Sequence, residues 1–78
     1  MEYSVGQIVR AKAGRDKNGF FIIVGLEGKF AYIVNGKNRK IEAPKKKKLI
    51  HLAPTGAVVQ NFNTNREVIR ILSKFQDD

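Results

Sequence analysis

The side chains that could do chemistry in this 78-residue chain are basic ones, grouped on short polar segments. Lys12, Arg15 and Lys17 flank one glycine-bounded turn, Lys37 and Arg39 follow an Asn35-Gly36 pair, and Lys45, Lys46, Lys47 and Lys48 run consecutively after Pro44. Fifteen Lys and Arg against seven Asp and Glu give a net charge of +8. Residues 10–48 alone hold twelve basic and three acidic side chains. Such an excess suits a polyanion: each phosphate neutralised releases condensed counterions, and neighbouring ammonium groups cease to repel one another. The two arginines differ from the lysines, because a planar guanidinium grips phosphate with two bonds or stacks on a base whereas ammonium acts as a point charge. Their competing role is an internal ion pair with Asp16 or Glu42.

Covalent chemistry finds no foothold. Ser4 and Ser73 have no evident base, His51 has no nucleophile at a recognisable spacing, and the acids are scattered, so the chain is not expected to be an enzyme. With no cysteine and one histidine, neither a metal nor another cofactor is expected. Gly14 and Gly19 have the glycine spacing of a phosphate-cradling loop, but Phe20 and Phe21 stand where its lysine and hydroxyl must be. His51 reads first as a hydrogen-bonded strand residue and second as a contact to the polyanion. Gly14 and Gly36 read as turn positions that hold their basic neighbours outward. Most aromatics fall inside apolar runs and belong to a core; Tyr32 and whichever of Phe20 and Phe21 faces outward are the candidates for base stacking.

These side chains need strands to present them. Residues 7–13 alternate Val9, Ala11 and Ala13 with Arg10 and Lys12, the period of a half-buried strand. Residues 14–19 are turn formers, residues 20–24 and 30–34 are apolar on both sides as in central strands, and Asn35-Gly36 signals a tight hairpin that returns along residues 39–43. Pro44 then closes that strand and opens a loop carrying the lysines, a last short strand covers residues 49–53, and Pro54-Thr55-Gly56 breaks it. Thr64 and Glu67 fit a capping box, and Val68, Ile69, Leu72 and Phe75 form an apolar stripe on the helix that follows. The expected fold is mainly β: a small SH3-like barrel of about five antiparallel strands over residues 1–55, a linker over 56–63, and a C-terminal α-helix over 64–76 closing the barrel's open side, all one domain.

An apolar fraction of 42% and a charged fraction of 28% exclude disorder and a lipid environment. No apolar run approaches the roughly 20 residues of a membrane span, and residues 1–4 lack a secretory start, so a cytoplasmic location and a monomer are expected.

The alternating strand, Gly14, the basic turn Arg15-Asp16-Lys17 and the second apolar strand make residues 4–34 resemble the KOW motif. With Asn35-Gly36, Pro44-Lys45-Lys46-Lys47 and His51-Leu52, residues 4–53 resemble the small KOW-type proteins related to family fourteen of the archaeal and eukaryotic large ribosomal subunit. The motif often has glycine directly after the turn lysine; this chain has Asn18 there and glycine one position later. The resemblance implies RNA binding on an SH3-like barrel. Together with the charge pattern it makes ribosomal or other structured RNA the expected partner and ribosomal proteins candidate neighbours, and the basic positions on loops and polar faces make Lys12, Arg15, Lys17, Lys37, Arg39, Lys45, Lys46, Lys47, Lys48 and His51 the expected contacting side chains. The alternative is a protein-interaction module that takes an acidic peptide or protein tail. Attachment to an anionic membrane is a third reading, and no apolar insertion element accompanies it.

Overall fold

The computed structural model describes residues 3–75. Its strands are β1 (Gln7–Ala11), β2 (Phe20–Glu27), β3 (Phe30–Val34), β4 (Lys45–Lys48) and β5 (Leu52–Val58); a single 3-10 turn, Leu49–His51, joins the last two, and α1 spans Asn65–Ser73. All pairings are antiparallel, in the order β4-β3-β2-β1-β5. Strands lie about 4.8 Å apart, so the edges of a flat five-stranded sheet would be about 19 Å apart. Three 3-10 residues rise about 6 Å. The short link from β4 to β5 therefore requires the sheet to roll up until its edges approach, which gives the barrel-like form. Register shifts in β2 between Ile23 and Gly25, and in β1 between Gln7 and Val9, are where the ladder bends.

Rolling creates two cores. Val9, Ala11, Phe21, Ile23, Ala31, Ile33 and Leu52 fill the inside, sealed by Tyr3, whose hydroxyl reaches the carbonyls of Leu52 (3.1 Å) and Leu49 (3.4 Å). Ile8, Ile22 and Val34 point the other way and pack with Val68 and Leu72 of α1. β1 is thus covered on both faces rather than half-buried, and the helix lies against the outer face of the sheet rather than over an open side of the barrel. The capping box forms as the sequence predicts: Thr64 Oγ1 accepts from the Glu67 amide at 3.1 Å, and Glu67 Oε1 accepts from the amides of Thr64 (3.1 Å) and Asn63 (2.6 Å). Those bonds hold the Glu67 carboxyl below the usual carboxylate range, Asn63 most strongly.

Several expectations need correction. Residues 39–43 do not pair with β3; the lysine run does, with Phe30, Ala31, Tyr32 and Ile33 opposite Lys48, Lys47, Lys46 and Lys45. Lysine has little strand preference of its own, but β3 presents an open row of backbone donors and acceptors, and pairing with it outweighs propensity. Asn35-Gly36 opens a ten-residue loop instead of a tight hairpin, because Asn35 Oδ1 accepts from the amides of Lys37 (3.0 Å) and Arg39 (2.9 Å) and curls the chain on itself. Residues 49–51 are 3-10 rather than strand, and Pro54 and Gly56 lie within β5, an edge strand in which proline interrupts no ladder that must continue outward. The link before the helix accordingly begins after Val58, and the helix itself ends at Ser73; residue 76, where its end was predicted, lies outside the described residues.

Candidate nucleic-acid interface

In an antiparallel sheet of this order the β1–β2 loop (residues 12–19) and the β3–β4 loop (residues 35–44) emerge at the same end. The first is shaped by two left-handed residues. Gly14 has φ +81°, with its carbonyl accepting from the Lys17 amide at 3.2 Å; Asn18 has φ +73°, so it supplies the left-handed conformation that glycine would supply after the turn lysine. Asn18 also accepts from Arg10 Nη1 at 3.1 Å.

One contact clasps the loops to each other and a second ties β4 to the first of them. Arg39 Nη2 lies 3.1 Å from Asp16 Oδ2, with the Asp16 side chain 6% exposed. Lys47 Nζ donates to the Ala13 carbonyl at 2.9 Å. Gly36, buried at φ +81°, lets α1 dock against the second loop: a Cβ there would stand 2.5 Å from the Asn65 carbonyl oxygen and 2.9 Å from Ile69 Cγ1. Asn65 completes the junction, accepting from the Ile41 amide (2.8 Å) and donating to Glu42 (3.0 Å), and that donation, first among the causes, holds the Glu42 carboxyl below its ordinary range.

The predicted contact residues divide accordingly. Lys12, Arg15, Lys17 and Lys37 are exposed on the clasped loops, joined by Lys40, which sequence reasoning passed over, and by Lys45 where β4 begins. Arg39 is not part of that exposed set: its guanidinium is committed to Asp16, the competing role the sequence left open. The lysine run is not one patch, because strand pleating sends Lys45 and Lys47 to the face of Ala31 and Ile33, and Lys46 and Lys48 to that of Phe30 and Tyr32. Lys47 is half-buried and spends its charge on Ala13, while Lys46 lies 4.6 Å from the Phe30 ring centroid and 4.0 Å from Glu27. His51 is half-buried in the 3-10 turn, where its carbonyl accepts from the Lys12 amide at 2.8 Å and sets it beside the first loop.

Neither Phe20 nor Phe21 faces outward. Phe21 is inside the barrel, and Phe20 packs on Phe75 with ring centroids 6.0 Å apart. The outward aromatic that sequence reasoning missed is Phe30, whose orientation depends on a register with β4 that no local pattern signals. Among the described residues, no three acidic or histidine side chains converge as a metal site would need. No helix among them is long and apolar enough to cross a membrane.

Around the clasp the two loops carry six basic and two acidic side chains, and both acids are engaged, Asp16 by Arg39 and Glu42 by Asn65. The loop end can therefore attract an anion with little opposition from its own carboxylates. No protein-family model matches this chain, and no curated protein matches it.

Proposed function

We propose that this protein is an RNA-binding module of KOW type, which grips structured RNA, ribosomal RNA being the leading candidate, through the loops at residues 12–19 and 35–44 and carries out no catalysis. The observation that carries the reading is the clasp: Asp16 is neutralised by Arg39, and Lys12, Arg15, Lys17, Lys37 and Lys40 remain exposed around it. Phosphate contacts of this kind fix position and supply affinity, and they select by shape more than by sequence. A buried Asp16 also keeps the two loops at a set separation, so the cations meet the sugar-phosphate chain already arranged.

The test is a salt titration of binding to a short hairpin RNA. Affinity of the wild type should fall with log salt at a slope of about 0.9 per phosphate contacted. Changing Lys12, Arg15, Lys17 and Lys37 together to glutamine should weaken binding and reduce that slope by roughly 3.6, about 0.9 for each cation removed, with the fold unchanged by circular dichroism. Equal affinity and slope in the variant would remove the loops from the interface. Binding that hardly responds to salt would favour a groove for a peptide instead.

A further inference from the structure

The outer face of the β3–β4 pair carries aromatic and basic side chains that belong to neither core. Phe30 and Tyr32 stand two residues apart on β3, with Lys48 and Lys46 directly opposite. Tyr32 faces Gly25 on its other side, and because no side chain intervenes the ring settles onto the strand: a Cβ on Gly25 would be 3.4 Å from Tyr32 Cδ2. Its hydroxyl donates to Glu27 Oε1 at 2.5 Å, which pins the ring and raises the phenol's pKa. Beside Phe30 lies a cavity of about 280 Å³ lined by Lys29, Phe30, Lys48 and Ile50. Ile50, at the crest of the 3-10 turn, is 72% exposed. An exposed isoleucine beside an aromatic ring, rimmed by Lys29 and Lys48, fits an occupant that is apolar in the middle and anionic at its margin.

We propose that this face holds an unpaired stretch of RNA, one base lying on Tyr32 and the next against Phe30 and Ile50, with Lys29, Lys46 and Lys48 meeting the phosphates. The inference rests on the RNA-binding reading of the loops and adds the kind of RNA bound: a folded element with a single-stranded extension. Residues two apart on a strand are about 6.7 Å apart, about twice the 3.4 Å of stacked nucleotides. The rings therefore match a stretched strand with one base to each and exclude a stacked duplex, whose base faces are covered. The cavity lies at or below the lower end of the roughly 300–1,000 Å³ usual for ligand pockets, room for one ring system and not for a large ligand. Among the described residues Glu27 is the acid at the face, and it is engaged by the Tyr32 hydroxyl and lies 4.0 Å from Lys46. β4 begins at the clasped loops and ends at Lys48, so a chain leaving the loops can follow the strand to the cavity.

The experiment compares a short hairpin RNA with the same hairpin extended by unpaired uridines, by fluorescence anisotropy. The wild type should bind the extended RNA at least about fivefold more tightly for each base stacked. Ile50→Ser, at an exposed site, and Phe30→Leu, which keeps the apolar bulk, should each remove much of that gain while leaving affinity for the bare hairpin unchanged. The loop variant with four glutamines should show the reverse, weaker hairpin binding with the gain retained. Equal affinity of the wild type for both RNAs overturns the inference and leaves the loop reading standing. Failure to bind either RNA overturns both. A glutamate-rich peptide that binds the wild type but not Ile50→Ser, with no gain from the uridines, assigns the face to a protein partner and overturns it as well.

Discussion

Removing the Arg39 guanidinium tests whether that residue is a clasp or an RNA contact. Arg39→Met keeps the length and apolar stem of the side chain and leaves Asp16, with its side chain 6% exposed, without its partner 3.1 Å away. A hydrogen bond to a charged group contributes about 1.5–3 kcal/mol, and breaking a fully buried pair costs about 3–5 kcal/mol. Arg39 is 26% exposed, so water screens part of the interaction and the upper range does not apply. The expected loss is about 2 kcal/mol, which in a domain of this size lowers Tm by roughly 8–16 °C. Asp16→Asn, which keeps an acceptor in place, should cost about 1 kcal/mol. The double variant should lose less than the sum, because the second change removes the charge that the first stranded. Thermal unfolding by circular dichroism reads all three. The salt slope of the proposed RNA binding by Arg39→Met, measured well below its Tm, should match the wild type. A Tm within about 2 °C of wild type, strict additivity in the double variant, or a slope lowered by about 1 would each refute the clasp and return Arg39 to the contact surface.

Further outcomes follow from the same contacts. Gly36→Ala forces a Cβ against the Asn65 carbonyl oxygen and Ile69 at a positive φ, and should cost at least about 2 kcal/mol in urea unfolding, the left-handed conformation alone accounting for about 1–2. Lys47→Gln loses its bond to Ala13 and should destabilise by about 1 kcal/mol, whereas Lys48→Gln, exposed on the other face, should fall within about 0.5 kcal/mol of wild type in the same assay. Thr64→Ala should cost about 1 kcal/mol by removing the helix cap. Because the Glu67 pKa is depressed in the folded protein, its contribution is complete above the unfolded value of about 4.3 and is lost as pH falls through the lower folded value. Glu67→Gln should therefore flatten the acid limb of the stability curve measured between neutral pH and the acid transition.

Features carried by neighbours in the chain were legible. Thr64 and Glu67 form the expected cap because both partners lie within one helical turn. Gly14 and the basic residues after it make an exposed turn because glycine and asparagine accept left-handed backbone wherever they occur. Alternation identified Val9 and Ala11 as inward-facing but gave no sign that Ile8, on the opposite face, would be covered by Val68 and Leu72 from a helix more than fifty residues away. The lysine run was harder still. Four identical residues carry no period, so nothing local distinguishes the one that caps a loop carbonyl, Lys47, from the one that rims the Phe30 cavity, Lys48.

The amino-acid order by itself determined the charge, the mainly β character, the capped helix and the two cationic turns, since composition and short-range backbone preference need no distant partner. Which cations stay available was decided only when the chain closed. Asp16 meets Arg39 across 23 positions of sequence and Lys47 reaches Ala13 across 34; both contacts exist because the rolled sheet brings the β1–β2 loop beside the β3–β4 loop and β4. A side chain's charge belongs to its residue type, but whether that charge is spent within the molecule or offered to a partner depends on what folding sets beside it.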